Sequence, residues 1–383
     1  MRKRAPMVLL LFPVLLLVLP GMPVWAADAL PPQITEALDL SELNRFIDRL
    51  DNDVMMYLPN LDIKSWGLAG PEWDIQSVGR GIFKYFMREL VFNLRLLAEL
   101  FLIAVSLAIL QNLQHAFEAD TVNQVAFGIC FLIVMGIVFN SFRVTFAVAR
   151  EAVTEMTDFM YAIIPVIFSL IVAGGGMTTA TIVHPLLVSA VGIVAGLVKG
   201  VVFPLILFSG VFGMVQFLSE GFQVNKIANL LRNIATGLLG LAMTVFIGLI
   251  TIRGFAASVA DSMALRTMKY FTNTFLPVVG GVVSDSAEMA AGCSQVLKSG
   301  VGVLGLGLVV LITVFPLMKI LAVAMIYYCS SAVIQPLGNG RMADALQAVG
   351  GTFLHLFGAV AITALMFFIA ISILVGVAGV GVR

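Results

Sequence analysis

Charge is what this sequence has least of. Only 11% of its 383 residues are Asp, Glu, Lys or Arg, against 60% hydrophobic. Soluble domains carry about a quarter charged residues, so the composition excludes an ordinary soluble protein whatever domain count the length would permit. The few charges balance, 22 basic against 22 acidic. No basic excess is present to attract nucleic acid, which is not expected as a partner. Cysteine and histidine are equally scarce, three of each. Cys130, Cys293 and Cys329 are scattered through apolar stretches with neither ligand nor disulfide spacing. His115, His184 and His355 have no ligand partners at metal spacing, so no metal or cofactor is expected. A Walker-type loop, an HExxH motif and a Ser–His–acid arrangement are all missing. Gly300-Val301-Gly302-Val303-Leu304-Gly305 satisfies GxGxxG literally, but it follows no strand and opens an apolar run. Helix packing through small residues explains it better than a dinucleotide. No catalytic residues are assigned, and the chain is not expected to be an enzyme.

What is present in quantity is apolar sequence. Charge-free stretches run over 100–117, 121–142, 159–198, 200–219, 233–252, 299–318, 320–340 and 345–382. A helix needs about 20 apolar residues to cross the hydrocarbon, and lipid forces the backbone to satisfy itself as helix. The runs predict seven to nine crossings. Lys199 and Lys319 each divide a long run, marking either a tight hairpin or a snorkelling side chain. Glycine, at 35 residues, suits close packing of helices in lipid.

Ahead of these runs the chain changes character twice. Residues 1–26 begin with Arg2, Lys3 and Arg4, continue through apolar Met7 to Leu19, and end in Val24-Trp25-Ala26, the pattern of a signal peptide cleaved before Ala27. Residues 27–79 are polar. Within them Leu43, Phe46, Ile47, Leu50 and Val54 recur at helical spacing before Pro59, Gly67, Gly70 and Pro71 break the pattern. Residues 80–95 predict an amphipathic interfacial helix, with Ile82, Phe83, Phe86, Leu90 and Leu94 on one face and Arg80, Lys84, Arg88 and Arg95 largely on the other. The signal places this arm outside the cytoplasm, although its basic residues would favour the inside.

The apolar part is expected to be internally duplicated. Asn123, Arg143 and Glu151 match Asn233, Arg253 and Asp261 at an offset of 110 (233−123, 253−143, 261−151). Pro165 matches Pro277, and Pro204 matches Pro316, at an offset of 112 (277−165, 316−204). The latter pair sits in Phe203-Pro204-Leu205 and Phe315-Pro316-Leu317. Each unit also carries a glycine break, Gly174-Gly175-Gly176 or Gly280-Gly281. Proline removes a backbone hydrogen bond and clashes with the preceding turn, so the segments around Pro165 and Pro277 are expected to be kinked or re-entrant. The expected fold is all-α: a polytopic transmembrane bundle behind a short extracytoplasmic N-terminal arm. Its divisions are a signal peptide (1–26), a polar segment (27–79), the interfacial helix (80–95), a first span (96–120), repeat one (121–219), repeat two (220–340) and a C-terminal span (341–383) that resembles the start of a third repeat. Candidate structural or pathway positions are Arg143, Arg253, Pro165, Pro277, Pro204, Pro316 and Lys319, the last being the strongest candidate for a buried charge.

Several short words carry a family resemblance. They are Leu110-Gln111-Asn112-Leu113-Gln114 with Ala116-Phe117-Glu118, then Asn140-Ser141-Phe142-Arg143, His184-Pro185-Leu186, Asn229-Leu230-Leu231-Arg232 and Gln335-Pro336-Leu337-Gly338. In this order, behind a signal segment, the chain resembles the stage III sporulation protein AE family of endospore-forming bacteria. The resemblance implies a protein of the mother-cell membrane that engulfs the forespore. It implies a permease-like place in a channel complex similar to secretion systems, with membrane and ring-forming subunits and a separate ATPase as partners. A free-standing secondary transporter of a small solute is the alternative.

Overall fold

The computed structural model describes residues 75–115, 120–217, 224–275, 280–337 and 340–377. The expected signal, the arm up to residue 74 and Pro277 lie outside them. Every regular element among the described residues is helical. In order they are α1 (Ile75–Phe92), α2 (Leu94–His115), α3 (Asp120–Ala173), α4 (Met177–Leu197), a π-helical turn (Val198–Val202), α5 (Phe203–Val215), α6 (Asn225–Phe275), α7 (Gly280–Ile334), a short 3₁₀ turn (Gln335–Leu337) and α8 (Gly340–Val377).

Six of these stretches are long and apolar enough to cross a membrane: Gly79–Ile109, Gly128–Ala173, Met177–Val215, Asn225–Ala264, Gly300–Leu337 and Gly340–Gly376. The runs predicted seven to nine, and the difference has a physical source. Lys199, Lys319, Pro165 and Pro316 lie within continuous helix, so runs expected to be separate crossings are fused. A lysine on a long aliphatic stem can carry its charge to the bundle surface without ending its helix. The stretches span 31 to 46 residues, about 46–69 Å of helix. The hydrocarbon core of a bilayer is about 30 Å thick. Helices of this length either tilt far beyond the ordinary range or stand well clear of the hydrocarbon.

The core is built on α7, which packs most extensively against α8 and then α3. The α3–α7 pair is antiparallel and in register. Tyr327 hydroxyl donates to Ser141 Oγ at 2.8 Å, and Thr313 Oγ1 reaches Met156 Sδ at 3.3 Å. A side chain on Gly305 would collide with Ile163. Thus from residue 141 to 163 on α3 the facing position on α7 moves back from 327 to 305. Gly305 is the close approach that GxGxxG hinted at: its missing Cβ is what lets the two helices meet.

The amphipathic helix forms as α1, and Ile82 and Phe86 of the expected face pack against the core, but the centre of that face is Tyr85. Phe83 is 63% exposed, whereas Tyr85 is buried and stands edge-on to Phe315 of α7, ring centroids 4.8 Å apart. Asn93 joins α1 to α2 and returns its side-chain amide to the Glu89 carbonyl at 2.8 Å. Glu99, near the start of the apolar stretch, pairs with Arg95 one turn earlier at 3.0 Å.

Candidate functional site: a capped helix break and a charged belt

The break between α3 and α4 is local in origin. Three glycines remove the side chains that would continue the helix, and Gly175 takes φ 87°, a conformation that costs glycine little. The N–H groups of Gly174, Gly175 and Gly176 donate to Leu170, Val172 and Ile171 carbonyls at 2.8–3.1 Å, satisfying the end of α3. The start of α4 has no such local remedy, since Gly176 offers no side-chain cap.

The remedy comes from α6. Thr178 N–H donates to Asp261 Oδ1 at 2.8 Å, and Thr179 N–H donates to Oδ2 at 2.9 Å. Asp261 is 7% exposed. A carboxylate distant in sequence therefore takes the place of a helix N-cap, and its charge faces the positive end of the α4 dipole. Unsatisfied N–H groups in an apolar setting cost several kcal/mol each, so this clamp ties α6 to the break.

One apolar length of α4 below the break, the helix changes pitch. Pro204 has no N–H to give Gly200, and the helix widens just before it: Phe203 N–H bonds Val198 carbonyl, five residues back. The hydrogen bond that Pro204 cannot make is absorbed by a π-turn. Within that turn Lys199 Nζ donates to Thr154 Oγ1 of α3 at 3.1 Å. Phe203 lies 6.2 Å from Phe146 of α3.

Four candidate positions fall within about 15 Å of one another along the bundle from this turn downward. Arg143 is on α3, three residues from Phe146, and is exposed. Pro204 follows Phe203. Pro316 and Lys319 of α7 lie between Thr313, which faces Met156, and Tyr327, which faces Ser141. Lys319 is half-buried, so it is not the enclosed charge expected of it. The exposed side chains of Arg150, Glu151, Glu155 and Asp158 complete the belt along α3. Pro165 and Arg253 lie higher, each about 12–13 Å from the break. Pro165 stays within α3, its carbonyl accepting Ser169 Oγ at 2.9 Å, and Arg253 is exposed. Above the belt, α4 is charge-free from Met177 to Val198, about 33 Å of helix and close to the thickness of a bilayer hydrocarbon core.

The family model described as Stage III sporulation protein AE matches residues 68–378. The chain belongs to that family. A curated relative, stage III sporulation protein AE of Bacillus subtilis (strain 168), is 36% identical over 296 residues, which covers 77% of this chain and 74% of the relative. No solved structure matches the chain. The match contains the whole bundle, including the break, the Asp261 clamp and the belt.

In the sequence, Asp261 stands out only as the counterpart of Glu151. The two occupy different settings, one clamped to a helix end and the other exposed. A signal was available: Asp261 is the one acid between Arg253 and Arg266, and Thr178-Thr179 follow a glycine break that holds no acid of its own.

Proposed function

We propose that this chain is the integral-membrane, permease-like subunit of the channel complex that joins mother cell and forespore during endospore development. The observation that carries this reading is the family match across the whole helical bundle. On this reading the N-terminal signal inserts the chain into the mother-cell membrane around the forespore. It assembles there with other membrane and ring-forming subunits, and a separate ATPase supplies energy. It has no catalytic chemistry of its own.

The helix lengths support a subunit role. Rods about twice as long as the hydrocarbon is thick carry exposed apolar side chains along their length, among them Leu230, Val245, Ile252 and Met263 of α6. Lipid can cover only part of such a surface, and protein must cover the rest. The order of long helices supports reading the core as two copies: α3 with α4–α5, then α6 with α7, and α8 as the start of a third.

Deleting the gene in its source organism is expected to abolish heat-resistant spores, with full rescue by the intact gene. Normal spore yield in the deletion strain would overturn the proposal. The free-standing transporter draws on a different observation, the capped break and π-turn, because transporters place solutes at irregular helices. Solute flux by the purified chain alone in liposomes would decide for it.

A further inference from the structure

The offset of 110 that pairs Arg143 with Arg253 also pairs the faces of two helices, and the pairs are covered in opposite ways. On α6 the buried face carries Leu239, Ala242, Ala257 and Asp261. Their counterparts on α3, Ile129, Leu132, Ala147 and Glu151, are all exposed. The reverse holds on the other side. Leu241, Ile252 and Val259 are exposed on α6, while their counterparts Phe131, Phe142 and Ala149 are buried on α3. A further step of 110 reaches α8 (349−239, 352−242, 367−257), where Val349, Thr352 and Phe367 are buried like their matches on α6.

The two covered faces have the same kind of cover. On α6 it is α4 with α5, running antiparallel from the Asp261 clamp. On α8 it is chiefly α7, which comes close to Ile371, the match of Asp261, at Gly305. Each cover is the second helix of the copy before. α3 opens the first copy, and α1 and α2 ahead of it leave this face exposed. A stack of repeats keeps one face without a neighbour at each end.

What fills the face follows from its chemistry. From Ile129 to Glu151 it runs 22 residues (151−129), about 33 Å and one bilayer crossing. Asn140 is exposed at its midpoint. Lipid tails offer an amide no partner, whereas a neighbouring helix does. Glu151 stands where Asp261 stands on α6, and Asp261 holds the N-terminus of the helix that covers it. Arg143 is no obstacle, because its match Arg253 stays exposed beside a covered face. A second copy of this chain has no such helix to spare: α4–α5 and α7 already cover α6 and α8.

We propose that the face of α3 from Ile129 to Glu151 seats a membrane-spanning helix of a different subunit, antiparallel to α3, with Glu151 capping its first turn. The inference rests on reading this chain as an internally duplicated subunit of a larger complex.

The test puts photoreactive benzoylphenylalanine in place of Ile133 or Val144, both exposed on this face, in the full chain in sporulating cells, and maps the cross-linked peptides by mass spectrometry. One membrane protein should be joined from both positions. Its residue reached from 133 should lie about 11 residues after the one reached from 144 (144−133), as an antiparallel helix requires. Glu151→Ala should lower the adduct about fivefold and Asn140→Leu about threefold. Glu151→Asp, the acid that α6 uses, should keep it. So should Asp158→Ala, which removes an exposed acid beyond the seat. The unfolding temperature of the purified chain should not move in Glu151→Ala, because the partner is absent there. Adducts to lipid alone, within this chain or between two of its copies overturn the proposal, and so does a parallel register. A cross-link yield that Glu151→Ala leaves unchanged overturns the cap. When the deletion strain makes no spores and the seat yields only lipid adducts, the seat is overturned and the complex stands.

Discussion

The tripeptide Phe-Pro-Leu occurs in two rods of this bundle and meets two fates. At Phe203-Pro204-Leu205 the backbone widens into a π-turn just before the proline. At Phe315-Pro316-Leu317 the helix runs on for a total of 55 residues without interruption. The rods differ in their surroundings. In the Gly300–Leu337 stretch, 76% of the most apolar window is buried, against 39% for Met177–Val215. Leu317 and Ile320 are fully enclosed, while Ile193, Val201 and Phe208 on the other rod are exposed. A helix gripped on all sides has no room to gain a residue per turn. One with an open flank can relax its pitch around the missing N–H. Neighbours, not the proline itself, select the outcome.

The widest contrast to exploit is at the start of the relaxed rod. Asp261→Ala should leave two buried N–H groups of α4 unpartnered and cost about 3–5 kcal/mol, read as a large fall in the unfolding temperature of the purified protein. Glu151→Ala, its counterpart by sequence offset, should change stability by less than about 0.5 kcal/mol because the side chain is exposed. Equal effects at the two positions would mean that the clamp is not what holds the break.

Next in size is a test of packing. Gly305→Val should force α7 away from Ile163 and cost about 2–3 kcal/mol. Gly196→Ala on the relaxed rod, where an added Cβ meets nothing within 4 Å, should stabilise by about 0.5–1 kcal/mol through helix propensity. Thermal unfolding of both variants in one detergent would show whether the two rods differ in tightness as described.

A smaller effect separates the prolines themselves. Pro204→Ala restores an N–H that Gly200 can accept. The π-turn should then tighten to α-helix and draw Lys199 away from Thr154, for a net change within about 1 kcal/mol. Cross-linking of cysteines placed at 154 and 199 would report the loss of contact. Pro316→Ala should leave the backbone of α7 as it is. The smallest change is Thr154→Val, which removes the acceptor of Lys199 and the hydroxyl's own bond to the Arg150 carbonyl, both near the surface, and should cost about 1 kcal/mol or less.

Much of the fold was legible because lipid imposes a local rule. A long run with few charges must be helix, and this holds for every apolar run among the described residues. The glycine break was legible for the same reason, since Gly174-Gly175-Gly176 act on their own backbone. Proline was less legible, because its cost depends on neighbours it does not name: Pro165 lies inside α3, and Pro204 sits just after a π-turn. The inner face of α1 was legible in part, at Ile82 and Phe86. Periodicity finds an apolar stripe, but Tyr85 was chosen over Phe83 by a partner more than 200 residues away.

Taken by itself, the sequence determined that the chain is helical, apolar beyond any soluble fold and a member of its family, because composition, run length and ordered words are properties of a string. Only the tertiary structure decided that Asp261 closes the α4 terminus, that one proline widens its helix while its twin does not, and that Lys199 of α4 reaches Thr154 of α3. Each of those depends on which helices stand side by side and in what register. Hydrogen bonds, steric grip and charge proximity act over a few ångströms of space, whatever the distance along the chain.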